Sequence, residues 1–334
     1  MEKRLKEQWE KLYYFSRMIS DMDPWDTFTE DMPLVYIQKD TNKEIIYSIL
    51  GDECPFCGIA CYDGWMNYSL TRQRMKSQNK KNEPFFLLQN ALIGIWGSRS
   101  DVSKENYAIL KELDLRGHGD GSWLYFEKYR TGFAPVPVPD GEVEELADSM
   151  GNLYMLLKAV YEHVQDAIRP GVTPIRTYDP KTKAYYLQCI PTPALEKPQY
   201  PIVTVEENDQ LIRLKQKHTE AHTIQMDWSY IPSVLREGGK EFFPRLLIAV
   251  TGEEGFALPG KFILADRDQN MCVLNALTEY IDDYGKPTEL RICDEELHGI
   301  IADFCKKVGI KLKMTKTLPQ LNRLRKEMMK DLEF

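Results

Sequence analysis

The sequence predicts an α/β protein of two domains, an α+β domain at the N-terminus and a mixed α/β domain at the C-terminus. The chain has 334 residues, which is enough for two ordinary domains. Its C-terminal third alternates strand-like and helix-like segments, and such an order requires crossover connections between strands. A proline-rich stretch divides the two regions and is typical of a stiff linker. We therefore expect domains at 1–190 and 202–334, with the linker at 191–201.

The N-terminal domain begins with an amphipathic helix, because its apolar residues recur at helical spacing from Trp9 to Ile19. This helix ends before Pro24, since proline disfavours a helical conformation in the residue that precedes it. The elements that follow are, in chain order, strands at 34–38, 44–50 and 58–62, an exposed helix or loop at 71–81, a buried strand pair at 85–96, a helix at 103–113 and a glycine- and proline-rich loop at 114–139.

A long helix over 140–164 is the clearest element of the sequence. Asp140 caps it, and acidic residues fill its first turn, where they interact favourably with the helix dipole. Its apolar face consists of Leu146, Met150, Leu153, Leu157, Val160 and Val164. A hairpin of strands at 175–178 and 184–190 completes the domain.

The C-terminal domain starts with a region, 202–230, whose pattern does not favour one structure. Two antiparallel strands follow at 245–251 and 260–266. The remaining elements are a helix at 270–284, a strand at 288–293, a helix at 294–308, a strand at 310–314 and a final helix at 320–332. This order predicts a layered structure with helices packed against a mixed sheet.

The overall charge makes a dedicated nucleic-acid-binding protein less expected, although a local basic patch is compatible with it. The formal net charge is −8 and the isoelectric point is about 5.4. The N-terminus lacks the apolar core of a signal peptide, and no apolar run is long enough to span a bilayer. Seven cysteines in a chain without a secretion signal are typical of reduced thiols. We expect a cytoplasmic protein without membrane contact.

Glycines, prolines and aromatic residues of the first half form a pattern that resembles the N-terminal domain of a bacterial two-domain family of unknown function. The residues that carry this resemblance are Trp9 to Tyr13, Pro24, Trp25, Tyr47 to Gly51, Gly58 to Gly64, Arg116, Gly117, Trp123 to Phe126, Arg130, Gly132, Phe133 and Pro135. Leu124 and Val136 depart from the family pattern. The C-terminal domain of that family, also of unknown function, is similar at Gly285 to Pro287, Arg291, Asp294, Gly309, Ile310, Leu318 and Pro319. The resemblance implies a fold and no activity.

The last hundred residues also resemble the ribonuclease-H-like core of retroviral-type integrases and transposases. The resemblance rests on a hairpin, a helix, the stretch Gly285 to Asp294, and a helix before Gly309. In such cores, carboxylates on the first and later strands hold two metal ions for phosphoryl transfer. Asp294 falls on a matching position, whereas the strand 246–251, which we take as the first strand, has no aspartate. The resemblance thus implies a degenerate, catalytically silent core.

If this core retains activity, its catalytic residues are Asp294, Asp266 and Glu253, which would bind Mg²⁺ or Mn²⁺. For Asp294 we prefer a competing interpretation. It follows a strand and precedes a helix that carries acidic residues in its first turn, and this is the pattern of a helix N-cap.

Cys54 and Cys57 enclose a Cys-Pro-Phe-Cys-Gly sequence that is typical of one half of a zinc ribbon, and Cys61 is the only further thiol nearby. The same spacing serves thiol–disulfide exchange when a helix follows it, but the next residues predict a strand. The alternative without function is a tight turn that carries incidental thiols.

The glycine-rich loop contains a second group of candidate ligand-binding residues. Loops of this kind are most often simple turns, yet binding residues concentrate on irregular backbone. The group combines charge, hydrogen-bond donors and aromatic surface and consists of Arg116, His118, Asp120, Trp123, Tyr125 and Arg130.

A basic segment near the C-terminus reverses the average sign of the chain. Its candidate contact residues for a nucleic acid or a protein partner are Lys306, Lys307, Lys311, Lys313, Arg323, Arg325 and Lys326. Most charge runs are solvated faces, and the aromatic residues that stack bases in single-strand binders are absent from this one.

These features favour a non-enzymatic binding module that contacts a protein or nucleic-acid partner and needs no cofactor. The alternatives are a metal-dependent nuclease or phosphotransferase and a zinc-stabilised structural protein. The chain has no glycine-rich nucleotide-binding loop and no serine-hydrolase elbow, which argues against those two kinds of chemistry.

Overall fold

A computed structural model describes residues 1–51, 56–76, 87, 89–163, 168–252 and 255–332. The chain divides into two compact units, Met1–Pro198 and Gln199–Phe334. Both units combine helices with a sheet, which confirms the predicted α/β class. Among the described helices, none has the length and apolarity that a bilayer-spanning segment needs.

The first unit is built on an eight-stranded sheet in the order β6-β5-β4-β3-β2-β1-β7-β8. Neighbouring strands are antiparallel except β1 and β7, which run parallel. The strands are β1 (Leu34–Ile37), β2 (Glu44–Leu50), β3 (Cys57–Asp63), β4 (Ala91–Gly97), β5 (Trp123–Tyr129), β6 (Val136–Pro137), β7 (Val172–Asp179) and β8 (Ala184–Pro191).

Helices cover both faces of this sheet. They are α1 (Lys3–Ser20), α2 (Gly64–Lys76), α3 (Lys104–Glu112) and α4 (Asp140–His163). Helices α1 and α4 pack together on one face, where the hydroxyl of Tyr47 donates to the carbonyl of Ser149 at 2.8 Å. On the other face, Tyr68 of α2 donates to the carbonyl of Glu30 at 3.0 Å.

The periodic helices lie where the sequence predicts them. The predicted apolar face of α4 from Leu146 to Val160 is no more than 1% exposed, and Trp9, Leu12 and Ile19 of α1 are equally buried. Such faces form because apolar side chains at i, i+3 and i+4 lie on one side of a helix. Val164, the last residue of the predicted face, lies outside the described residues.

Of the strand pair predicted at 85–96, the described residues form a single strand, β4. Two further segments of the first unit differ from expectation. Residues 71–76 of the basic stretch are the second half of α2 and are not wholly exposed, because Arg72 is 1% exposed and lies 2.9 Å from the carboxylate of Asp31; residues 77–81 lie outside the described residues. The predicted loop at 114–139 contains β5, which is a strand of the sheet and lies between β4 and β6. Both differences arise from contacts with distant parts of the chain.

The second unit has a sheet in the order β13-β12-β9-β15-β16, in which β14 also pairs with β12. Strand β9 is central, antiparallel to β12 and parallel to β15, and β16 runs parallel to β15. The strands of this sheet are β9 (Thr219–Tyr230), β12 (Arg245–Thr251), β13 (Phe256–Ala257), β14 (Lys261–Ile263), β15 (Lys286–Ile292) and β16 (Lys311–Met314). Strands β10 (Leu235–Glu237) and β11 (Lys240–Phe242) pair with each other in a separate two-stranded sheet.

The helices of the second unit are α5 (Asp209–Gln216), α6 (Gln269–Tyr284), α7 (Glu295–Val308) and α8 (Pro319–Leu332). Helices α6 and α7 pack against one face of the sheet around Met226, Trp228 and Ile292. Helix α8 packs against the other face, where Leu321 contacts the side chains of Leu246 and its neighbours on β12. The second unit therefore has two hydrophobic clusters, one on each face of its main sheet.

Candidate functional site

Asp227 is a carboxylate near the C-terminal end of β9, the central strand of the second unit. Its side chain is 4% exposed and points to the face that α8 covers. Arg325 of α8 places its Nη2 atom 2.9 Å from Oδ2 of Asp227, and the same nitrogen donates to the carbonyl of Trp228 at 3.2 Å. A buried carboxylate requires a partner of opposite charge or several donors, and Arg325 supplies the opposite charge.

Cys293 lies beside Asp227. Strand β15 pairs in parallel with β9 so that Arg291 is opposite Gln225, and two residues further along each strand are Cys293 and Asp227. The thiol is 3.6 Å from Oδ2 of Asp227. Burial, together with the neighbouring carboxylate, raises the pKa of Cys293 to about 12. The thiol is therefore protonated at neutral pH and donates to Asp227, so it is not activated as a nucleophile.

Asp294 follows Cys293 and is the N-cap of α7. Its Oδ1 atom accepts a hydrogen bond from the backbone N–H of Leu297 at 2.9 Å. The residue as a whole is 9% exposed. This geometry is the N-cap that the sequence also allowed, and it commits one carboxylate oxygen to the helix.

Asp266, the second predicted catalytic residue, pairs with surface cations. Its nearest ionic partners are Lys240 at 3.7 Å and Arg267 at 3.9 Å, and Glu253 lies outside the described residues. Within the part of the chain that the structure describes, no three His, Cys, Asp or Glu side chains converge as a metal site would require. The predicted set of Asp294, Asp266 and Glu253 is thus not assembled there.

Sequence reasoning missed Asp227 because it took 246–251 as the first strand of the domain. The first and central strand is β9, and its residues Ile224, Met226 and Trp228 alternate with polar residues that face α8. An alternation of this kind over the region 224–230 is the signal that could have identified the strand. The expectation that the first strand lacks an aspartate was therefore wrong.

The predicted basic contact residues do not form one surface. Lys306 and Lys307 belong to α7, whereas Lys311 and Lys313 belong to β16 and share the α8 side of the sheet with Arg291. Side chains two residues apart on a strand share a face, and this places Arg291 on the same side as Cys293. Arg325 is turned toward Asp227 and is half-buried, so its charge is already paired with that carboxylate.

Some of these basic side chains are already neutralised. Lys307 pairs with Asp303 at 2.8 Å, and Lys311 pairs with Glu289 at 2.8 Å. Other exposed cations make no ion pair with any described residue; these are Lys306, Lys313, Lys316, Arg323 and Lys326. On α8, residues 323 and 326 are three positions apart and therefore adjacent on the helix surface.

In the first unit, two of the predicted ligand-binding residues line a cavity of about 360 Å³. Arg116 and Trp123 lie on its wall together with Arg17 of α1. Residue 117 fits without a clash only as glycine, because a Cβ at this position would lie 2.7 Å from the Trp123 ring. The close approach of the loop to Trp123 therefore depends on glycine.

The other four residues of that predicted group lie elsewhere. His118 and Asp120 are exposed on the loop, and Arg130 stacks on the ring of Phe133 at 4.3 Å. Tyr125 is 5% exposed, and burial raises its pKa. The loop does not bring the six predicted residues together, because alternate residues of β5 and the exposed turn separate them.

The predicted zinc ligands Cys57 and Cys61 lie on the same strand, Cys57 at the start of β3 and Cys61 four residues further along it. Four residues of extended chain separate them by about 13 Å, whereas two thiolates on one zinc ion are within about 4 Å of each other. Cys57 is exposed and Cys61 is buried. These two thiols do not share a metal ion, and Cys54 lies outside the described residues.

A second cavity of the first unit, about 380 Å³ in volume, lies at the N-terminal end of α4. Lys43 and Lys128 line it, but Glu145 lies 2.7 Å from Lys43 and Glu142 pairs with Lys128. Its cations are thus already neutralised by carboxylates.

Strand β5 also carries a buried carboxyl group that sequence reasoning missed. Glu127 accepts a hydrogen bond from the hydroxyl of Tyr129 at 3.0 Å. Burial raises its pKa to about 7. The pKa lies near neutral pH because the ionised form loses hydration that two neutral donors, the Tyr129 hydroxyl and the Asn106 amide at 3.5 Å, do not replace.

Comparison with known proteins identifies two domains. Residues 9–172 match the family described as domain of unknown function DUF7309, and residues 210–329 match domain of unknown function DUF6930. No curated protein matches the sequence.

Among solved structures, the chain is similar to the catalytic core domain of HTLV-2 integrase in complex with magnesium. The trimeric form is 15% identical over 31% of this chain and 64% of that chain, with a TM-score of 0.24. The dimeric form has the same identity and coverage and a TM-score of 0.23. The simian T-cell lymphotropic virus intasome in complex with PP2A regulatory subunit B56 gamma is 14% identical over 36% of this chain and 43% of that chain, with a TM-score of 0.26.

This chain spans less than two thirds of the integrase cores that it matches. Likenesses of this extent say nothing about activity. The two family matches, in contrast, cover most of the sequence and follow one another along it. The chain therefore belongs to a two-domain family of unknown function, with a DUF7309 domain followed by a DUF6930 domain.

Proposed function

We propose that the second unit is a non-enzymatic module that binds nucleic acid through one basic surface. This surface, the α8-side basic surface, consists of Arg291, Lys311, Lys313, Lys316, Arg323 and Lys326. The observation that carries the proposal is that Lys313 of β16 and Arg323 and Lys326 of α8 are exposed and have no ionic partner among the described residues, although the chain is acidic overall. Arg291 and Lys311 share the carboxylate of Glu289, which neutralises only one of their two charges. Unpaired cations on a surface release bound counterions when they contact phosphates, and this release drives binding.

The residues at the sheet end do not fit a catalytic metal ion. Two-metal chemistry needs several carboxylates that converge on the ions. Here Arg325 donates to Asp227, Cys293 remains a neutral donor, and Asp294 caps α7. The Arg325 guanidinium thus balances the charge of Asp227, as a metal ion would do in an active core.

The strand order of the second unit supports a degenerate ribonuclease-H-like core, as the sequence resemblance implies. Strand β9 pairs antiparallel with β12 and parallel with β15, which in turn pairs parallel with β16, and β9 carries Asp227 near its C-terminal end. Fold alone does not establish function, so the basic surface and the occupied carboxylate carry the proposal.

Nucleic acid fits this surface better than an acidic protein does. Protein interfaces draw most of their energy from apolar and aromatic anchors in the centre of a patch. The α8-side basic surface contains long cationic side chains and no aromatic residue. Spaced cations of this kind contact phosphates and carry little base specificity.

Fluorescence anisotropy with labelled duplex DNA, duplex RNA and single strands at low salt tests the proposal. The change is Lys313→Glu together with Arg323→Glu, which reverses two charges of the surface. Loss of about two phosphate contacts would lower affinity for every sequence and would reduce the slope of log affinity against log salt by about two. The matched control is Lys104→Glu with Lys181→Glu, which changes net charge equally on exposed positions of the first unit.

Equal affinity of the surface variant and the control variant would contradict the proposal, and so would absence of binding in the wild-type chain at low salt. A divalent-metal incubation separates the nuclease alternative. Cleavage of the labelled strand by wild type that is lost in Asp227→Asn and in Asp294→Asn would establish the enzyme and overturn the binding module.

A further inference from the structure

Strand β8 forms one edge of the eight-stranded sheet of the first unit. It is eight residues long and pairs with β7 over its whole length, from Ala184 opposite Asp179 to Pro191 opposite Val172. The register contains no shift, so no bulge bends the strand away from solvent. The outer side of β8 therefore presents a regular row of backbone donors and acceptors that β7 does not use.

This edge lacks the devices that usually prevent pairing. Proteins protect exposed edge strands with charged side chains, proline, bulges or very short length. The sequence 184–191 has no charged residue, and its only proline is at the last position. The opposite edge, β6, is two residues long and includes Pro137, which shows the protection that β8 lacks.

The side chains of β8 are also incompletely covered. Tyr186 is 47% exposed, Gln188 and Cys189 are exposed, and Leu187 is half-buried. A strand whose apolar side chains remain partly in water gains burial when another strand pairs with it. The same residues thus favour pairing through their side chains as well as through their backbone.

We propose that β8 pairs antiparallel with β8 of a second copy of this chain. A twofold axis perpendicular to the sheet makes the contact isologous, so that each copy donates and accepts the same backbone hydrogen bonds. An uncharged strand opposes its own copy without repulsion, and the two strands have the same length. The product is a dimer in which the two eight-stranded sheets form one continuous sheet. This inference is independent of the proposed nucleic-acid binding.

Sedimentation equilibrium of the full chain over a wide concentration range tests the pairing. The wild-type chain is expected to reach twice its monomer mass of 38.9 kDa. The variant Tyr186→Lys with Gln188→Lys places cations on the exposed side of β8, and like charges face each other across the twofold axis. We expect its dimer Kd to rise by about tenfold or more.

The control is Tyr14→Lys with Gln210→Lys, which makes the same two changes at exposed helical positions and leaves the Kd unchanged. Circular dichroism verifies that each variant is folded. Hydrogen exchange supplies an independent readout, because amides of β8 would become protected as concentration rises. A wild-type chain that is monomeric throughout, or a dimer that the β8 variant leaves intact, overturns the proposal.

Discussion

The ion pair between Asp227 and Arg325 is the part of the site whose energetic role can be worked out most directly. The change is Arg325→Met, which keeps much of the aliphatic volume beside Leu321 and Leu324 and removes the charge. Asp227 is then left almost fully buried without its cation. Removal of one partner of a buried pair destabilises a protein by about 3–5 kcal/mol.

The exposure of the two side chains decides where in this range the destabilisation falls. Asp227 is 4% exposed, whereas Arg325 is 22% exposed, so water reaches part of the pair and screens it. We therefore expect a loss near the lower bound, about 3 kcal/mol. Asp227→Asn combined with Arg325→Met leaves no buried charge and should recover about half of that loss, since the double change removes the pair as a unit.

Native-state hydrogen exchange of the β9 amides measures this loss, because it reports on the second unit separately from the first. The matched control is Arg323→Met, the same substitution on an exposed position of the same helix, with an expected effect below about 0.5 kcal/mol. Two results would refute this reasoning. Either Arg325→Met lowers the free energy of unfolding no more than Arg323→Met does, or the double variant is no more stable than Arg325→Met alone. In both cases Arg325 does not neutralise Asp227.

Two further predictions concern the first unit, which holds five of the six tryptophans and can therefore be followed by their fluorescence in urea. Burial raises the pKa of Glu127 from 4.5 to about 7, so the folded state keeps a proton that the unfolded state releases, and stability falls as pH rises through this window. Glu127→Gln should gain about 2–3 kcal/mol over wild type above pH 7 and nothing near pH 4; an equal difference at both pH values would contradict this. Gly117→Ala forces a Cβ to 2.7 Å from Trp123 and should cost about 1–3 kcal/mol, whereas Gly119→Ala, with open space around it but a φ of +92°, should cost less and leave the Trp123 emission unchanged. Identical emission in both variants would show that the loop does not rest on the indole.

Much of the fold could be predicted from local patterns. Helices α1, α4, α6 and α7 have one buried face each, and that periodicity is visible without knowledge of the partner. Strand β9 was missed because its apolar and polar residues alternate only over its last part, Ile224 to Tyr230, whereas the first residues of the strand, from Thr219, carry no such pattern. The burial of Gln225 and Asp227 beneath α8 depends on tertiary packing and is not visible in the sequence.

The site was harder to predict than the fold, because its contacts join residues far apart in the sequence. Arg325 lies in a run of basic residues that reads as a solvated surface, and its partner is in the central strand of the sheet. Arg72 shows the same effect in the first unit, since its partner Asp31 lies in a different segment. Charge spacing within one helix does not reveal which cation turns inward.

The residues after β8 have a mechanical consequence for the first unit. The indole of Trp65 donates to the carbonyl of Ala194 at 3.3 Å, and the hydroxyl of Ser69 accepts from the backbone N–H of Glu196 at 3.0 Å. These hydrogen bonds attach the proline-rich segment to α2. A force that pulls on the chain after Pro198 would therefore act on α2 before it reaches β8. A fragment that ends at residue 190 would lack both hydrogen bonds, whereas one that extends to Pro198 would keep them.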